Sequence, residues 1–283
     1  MNKRIIEEAV FKLLMLISIS IVVGSLVIII FLVIINGGPA ISLELLTQTS
    51  SGEFYLGAGG GGILNAILGS LFLALPATGL ACILSIAIAL YLQKDFIHSW
   101  IAGFIRFSLE ILWGIPSIIY GVFCFSIMIF LGLSASLFVG IVALTLLEIP
   151  IITRYMDESI KLVPVGLKEG AYSLGSTKFE TAIKIVPRQA LPGILAGILL
   201  GLGRGIGDAA SILFTAGFTN RIPTSIYDST AALPTMIFQL STSSLPVVRQ
   251  KASAAALVLL IMVFAISILS RTISKRYMKH VIK

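Results

Sequence analysis

Charge is what this chain has least of. Asp, Glu, Lys and Arg make up 12% of its 283 residues, against about a quarter in an ordinary soluble domain. Hydrophobic residues make up 57%, and the mean hydropathy is +1.06. A large soluble domain is excluded. Cysteine is almost absent: Cys82 and Cys124 both lie inside apolar runs, with no CxxC or Cys/His spacing, so they supply neither a disulfide framework nor a metal site and read as small packing residues. His98 and His280 are the only histidines and both sit among charged residues flanking apolar runs, so no HExxH and no Ser/His/Asp set can be assembled, and no GxSxG elbow occurs. The glycine run GAGGGGIL at 57–64 lacks the Gly-Lys-Ser/Thr and the preceding strand of a phosphate cradle, and reads as a flexible hinge. Nothing here argues for an enzyme. Energy for any transport must come from an ion gradient or a partner.

What is there is apolar sequence in membrane-length runs. Six stretches, at about 13–35, 63–92, 113–133, 135–153, 192–217 and 252–270, match the roughly 20 residues a bilayer crossing needs. They predict an all-α polytopic membrane protein of six transmembrane helices, since segments such as LVIIIFLVII at 26–35 are apolar on all faces rather than alternating as barrel strands do. The third and fourth runs form a hairpin around 132–134, and the first is a retained anchor rather than a cleaved signal. The net charge of +7 would suggest nucleic acid in a soluble protein. Here most basic residues fall on one side of the membrane if the spans alternate: Lys3, Arg4 and Lys12, then Lys94 and Arg106, then six between Arg154 and Arg188, then five from Arg271 onward. The positive-inside rule places both termini in the cytoplasm, with lipid head groups and no nucleic acid as the charge partner.

Two connections exceed a simple turn: an outer stretch at 218–251, rich in Ser, Thr and Pro, and a cytoplasmic stretch at about 154–191. In the latter, Glu169, Gly170 and Ala171 are followed by Gly175 and then Phe179. A glycine there lets the chain turn sharply between two short helices, while Leu174, Phe179, Ile183 and Ile185 offer apolar faces. Composition leaves two readings open, a docking element for a partner groove or a helical hairpin lying on the bilayer.

The spacing Glu-x-Ala-x-x-x-Gly resembles the EAA loop by which ABC importer permeases seat in their ATPase subunits. Three further blocks, IPSIIYG at 115–121, IPIITRYMDESIKLVP at 149–164 and GRGIGDAASILFTAG at 203–217, resemble those of PstA-type permeases of phosphate ABC transporters, in the same order. The resemblance implies a prokaryotic inner-membrane permease divided into an N-terminal helix with its outer loop at 1–62 and an ABC permease domain at 63–283. It also implies a coupling set of Glu169, Gly170, Ala171, Gly175 and Phe179. Its partners would be a PstC-like second permease, two PstB-like ATPase subunits that bind the ATP and Mg, and an extracytoplasmic phosphate-binding protein; this chain would carry no cofactor. Three positions depart from the pattern: Gly170 stands where the loop usually has Ala, Pro187 arrives one residue early, and Asp208 replaces a usual Glu.

Arg204 is a charge inside an apolar span, expensive to insert and in need of a partner or water. With Asp208 four residues on, the two are expected on one helical face. They read either as a self-neutralising pair or as a substrate group, because a guanidinium is a donor fork shaped for a phosphoryl group. Gly201, Gly203, Gly205 and Gly207 around it would admit a close neighbour. The resemblance assigns Arg204 to the phosphate pathway. Glu110 and Glu148 are expected at the cytoplasmic ends of their spans, explained by snorkelling or capping. Two rivals stay open: the same architecture for molybdate, tungstate or sulfate, and a gradient-driven carrier or membrane scaffold.

Overall fold

The computed structural model describes residues 3–57 and 60–278, and every regular element among them is helical. Helix α1 (Lys3–Gly37) is followed by two short helices, α2 (Leu43–Thr47) and α3 (Gly52–Leu56), each capped by a serine. Ser42 Oγ accepts from the Leu45 amide and Ser51 Oγ from that of Phe54, satisfying first-turn N–H groups that have no partner within the helix. Then come α4 (Leu64–Tyr91), α5 (Ser99–Gly114), α6 (Ser117–Phe130) and α7 (Leu137–Lys161). The short α8 (Val165–Ser173) precedes a single turn, α9 (Lys178–Glu180), which runs through a π-type bulge at Thr181–Ile185 into α10 (Val186–Gly207). Helices α11 (Leu233–Ser241) and α12 (Pro246–Met278) complete the fold.

Five helices are long and apolar enough to cross a membrane, or six if α5 and α6 count as one bent span. That pair departs from the straight third span expected at 113–133. The helix starts at Ser99, stops at Gly114 and resumes at Ser117 after a bend of 96°. Pro116 is the cause: it has no N–H to donate and pushes the residue before it out of helical geometry, and Ile115 is extended (φ −71°, ψ 132°). The expected fifth span is also shorter than its apolar run. Helix α10 ends at Gly207, Asp208 is extended (φ −81°, ψ 122°), and 208–217 continue as irregular chain.

Helix α7 is the central element: 72% of its apolar window is buried, against none of that in α1, which is peripheral and packs mainly along α12. Three apolar clusters stack along the bundle. Phe54, Ile63, Leu233, Met236 and Val248 lie at one end, Leu73, Leu144, Leu147 and Ile212 in the middle, and Ile152, Met156, Ile160, Val186 and Ile194 toward α8. The free amides at the start of α7 are taken up by irregular chain, with Ser136 N–H donating to Thr215 O (2.9 Å), Leu137 to Asp228 O (2.8 Å) and Phe138 to Ile226 O (2.8 Å). The stretch after α10 thus reaches the far end of α7. Residues 208–217 therefore run on from α10 alongside the first turns of α7. Ser211, Ile212, Thr215 and Ala216 among them are buried, as irregular backbone at membrane depth must be.

Candidate functional site

At the α8 end, the chain forms a compact helix, turn, helix. Helix α8 closes on Gly175, whose φ of +85° is a left-handed conformation that a side chain would strain. The Gly175 amide donates to Tyr172 O (2.9 Å) and that of Ser176 to Ala171 O (3.0 Å), satisfying two last-turn carbonyls. Thr177 then caps the next helix in a reciprocal box with Glu180. Ala171 is buried; Glu169, Gly170, Leu174 and Phe179 are exposed, with Leu174 at 91% and Phe179 at 66% of their free surface. Pro164, Leu167, Gly170, Ala171, Leu174 and Ile185 line an apolar groove of about 550 Å³. The unit is tied to the bundle at Asp95, whose carboxylate lies 3.4 Å from Lys168 Nζ. Burial, with Asp95 beside it, pushes the Tyr172 phenol up. Asp95 adjoins a polar hub that the sequence reading missed. Asp157, 1% exposed, accepts from Arg106 Nε (2.8 Å) and Nη2 (3.0 Å) and from Gln93 Nε2 (3.2 Å), and Lys161 Nζ lies 2.7 Å away. Arg106 Nη2 also donates to Leu92 O (2.8 Å). Helices α5 and α7 and the end of α4 are therefore pinned to one carboxylate.

The second candidate lies where α10 stops. Glu148 stands eleven residues into the 25-residue α7 and packs against Gly205, which puts the adjoining Arg204 at mid-depth of the bundle. Arg204 occupies the last turn of α10 and is exposed on the chain's surface. It borders a cavity of about 380 Å³ shared with Ala196, Leu199, Leu200, Gly203, Val263 and Ser267. Among the described residues it forms no ion pair.

The expected same-face pairing of Arg204 with Asp208 does not form. Helix α10 ends before Asp208, whose carboxylate instead accepts from Ser211, from both its amide (2.8 Å) and its hydroxyl. Asp208 therefore closes the turn that follows the helix. The four glycines split into two sets. Gly203 and Gly207 face open space beside Arg204, while Gly201 and Gly205 are filled by α7 side chains, Ile152 and Glu148. The turn at 208–211 is itself packed on α6, where a Cβ at Gly121 would lie 2.9 Å from Ala210 O and 2.8 Å from Ser211 O.

The reading of Glu110 and Glu148 as interfacial is half corrected. Glu110 is half exposed and pairs with Arg154. Glu148 is fully buried at the middle of α7 with the Thr78 hydroxyl beside it, and neither group has a well-aligned hydrogen bond or, among the described residues, a cation to pair with. A lone carboxylate inside ALTLLEIPII was the available signal. What it lacked was the neighbour, which only the packing of α7 on α10 supplies.

Comparison with known proteins matches this geometry. Residues 85–281 fit the family described as binding-protein-dependent transport system inner membrane component. The chain is 35% identical over 245 residues to the phosphate transport system permease protein PstA of Yersinia pestis, covering 87% of this chain and 82% of that one. To the protein of the same name in Haemophilus influenzae it is 34% identical over 243 residues, 86% of this chain and 85% of the relative. The chain belongs to the PstA-type permease family. Its fold is that of ABC importer permeases: a chain of the inward-facing MetNI methionine ABC transporter superposes with a TM-score of 0.61 at 19% identity, over 76% of this chain and 95% of that one. A chain from an amino acid ABC transporter gives 0.55 at 15%, over 79% and 94%. Like other members of its family, this PstA-type chain is a multi-pass inner-membrane component of a binding-protein-dependent system. The family match starts in α4 and so covers both the α8 groove and the Arg204 break.

Proposed function

We propose that this chain is the membrane permease of an ATP-driven importer for inorganic phosphate, oriented with both termini in the cytoplasm. The relatives' printed role supports the substrate, and the one-sided distribution of Lys and Arg supports the orientation. The observation that carries the reading is Arg204, a cation at mid-depth that the carboxylates among the described residues leave unpaired on an exposed face. Such a charge against lipid would cost about 2.5–3.5 kcal/mol or more, so this face is where a PstC-like second permease and the anion path belong. Gly203 and Gly207 leave the backbone beside it bare, and the guanidinium supplies parallel N–H donors to two phosphoryl oxygens.

The chain's own residues bind and orient the anion; the driving force comes from outside it. The importer has two PstB-like ATPase subunits, which hold ATP and Mg; one of them seats on the α8–α9 element of this chain around Glu169, Gly170, Ala171, Gly175 and Phe179, with the groove beneath Leu174 as an apolar socket. An extracytoplasmic binding protein delivers phosphate to the opposite end. A gradient-driven carrier would have no use for this exposed, capped element. Copurification tests the reading: the tagged chain, expressed with its candidate partners, retains an ATPase subunit and a second permease through detergent extraction. Isolation of the chain alone with full phosphate uptake in the absence of an ATPase refutes it.

A further inference from the structure

Helix α10 carries glycine at 193, 197, 201 and 205, one every four residues, on a single face. All four are filled from α7: Ser159 over Gly193, Tyr155 over Gly197, Ile152 over Gly201 and Glu148 over Gly205. A Cβ at any of them would collide with its occupant, so the helices meet along a continuous backbone rail. Three occupants are ordinary packing. The fourth is a carboxyl with 0% exposure that, among the described residues, has no cation paired to it and only the Thr78 hydroxyl beside it. One turn away Ile152 fills the equivalent notch without polar cost. A buried carboxylate without a cation carries a desolvation cost that an apolar side chain in the same notch avoids.

The groups facing Glu148 indicate what it is for. From α4 comes the uncharged Thr78 hydroxyl, and from the chain that continues α10 the Asp208 carboxylate; the Ala74 methyl lies beside Gly205, the glycine that Glu148 fills and that Arg204 adjoins. Asp208 is engaged by Ser211. Arg204 directly precedes Gly205, so its Cα lies within about 7 Å of the Glu148 carboxyl. That is the reach of an arginine side chain.

We propose that Glu148 is the alternate counter-ion of Arg204. In the arrangement described, Arg204 faces the open side, where a transported oxyanion meets it. A small turn of α10 on its glycine rail carries the guanidinium over to Glu148, and the carboxylate displaces the anion and lets it leave. This rests on the reading of Arg204 as a pathway residue, and makes Glu148 a positioning residue for release.

The test uses the complete importer in proteoliposomes, following labelled phosphate uptake and its half-saturation, with each variant normalised to incorporated protein. Glu148→Gln keeps shape and volume, so a structural role predicts little change. Release by competition predicts a fall in maximal uptake of roughly fivefold or more with half-saturation unchanged or lower, and partial rescue in Glu148→Asp. In an Arg204→Gln background, Glu148→Gln should change uptake by less than about twofold, because the two act as one unit. Normal uptake by Glu148→Gln beside an impaired Arg204→Gln overturns the counter-ion alone, as does an equal fall in both backgrounds. Normal uptake by Arg204→Gln refutes the pathway reading and the counter-ion with it.

Discussion

The seam between α7 and α10 can be probed by two substitutions that differ only in what they meet. Gly197→Ala and Gly203→Ala each add one methyl group to the same helix, and each gains the same helix-propensity term, about 1 kcal/mol. At Gly203 the new Cβ has nothing within 4 Å. At Gly197 it would stand 2.7 Å from Tyr155 Cβ, with Ile152 O at 3.6 Å. Tyr155 Cβ is fixed to its backbone and no rotamer removes it, so the two helices must part. Overpacking of this kind costs about 1–3 kcal/mol. With propensity cancelling, Gly197→Ala should be less stable than Gly203→Ala by about that amount. At the roughly 2–4 °C per kcal/mol typical of chains of about 200 residues, the apparent melting midpoint should differ by about 4–8 °C for 2 kcal/mol. Thermal denaturation of the detergent-solubilised chain, followed by loss of the monodisperse chromatographic peak, reads this directly. Equal midpoints for the two variants would show that α7 does not seat on this glycine face.

Three other outcomes are expected. Asp157→Asn leaves Arg106 and Lys161 without their carboxylate, and because both retain some solvent contact the loss of thermal stability should fall near the low end of the ~3–5 kcal/mol for a broken buried pair; an unchanged midpoint would contradict the clamp. In the 218–251 stretch, the Thr224 and Ser225 amides hold the Asp228 carboxyl below the usual carboxylate range. Its contribution is therefore present above the unfolded value near 4 and lost as pH falls through the lower folded one. Hydrogen exchange at Thr224 and Ser225, corrected for intrinsic rates, should lose protection in that acid window in the native chain, whereas Asp228→Ala should show the loss already at neutral pH. Glu169→Lys and Gly175→Leu should insert normally yet reduce ATPase copurification or stimulated ATP turnover, the second because a side chain at φ +85° strains the turn by about 1–2 kcal/mol. Coupled transport at the normal rate in both variants would remove the docking role of α8.

The parts legible in the sequence were those fixed by local pattern. The 63–92 run is helix α4 to within a residue or two at each end, because continuous apolarity bounded by glycines and by Gln93-Lys94-Asp95 needs no tertiary information. Gly175 is the turn it was expected to be, since a left-handed position after a short helix is a local demand. The bend at 115–116 was written in Ile115-Pro116, but continuous apolarity masked it. The end of α10 was masked the same way: ASILFTAG after Asp208 is as apolar as a helix, and it leaves the helix because Asp208 binds Ser211 and because the chain packs against Gly121 of α6. Long-range packing also decides which glycines are filled. Gly201 and Gly205 differ from Gly203 and Gly207 only in having α7 opposite them. In sequence Glu148 resembles an interfacial residue, because its notch exists only once α7 and α10 are in register.

Arg204 is proposed to meet a phosphate anion on its way through this chain, a role that can be tested directly. Its most direct test is ATP-dependent uptake of labelled phosphate by the complete importer in cells lacking other phosphate importers, comparing the native chain with Arg204→Gln and Arg204→Lys at equal membrane levels. Losing a charge-assisted contact worth about 1.5–3 kcal/mol predicts a fall of at least about tenfold for Arg204→Gln. Arg204→Lys, which keeps the charge without the planar fork, should recover only part of the rate. Uptake by Arg204→Gln within about twofold of the native rate would contradict the account.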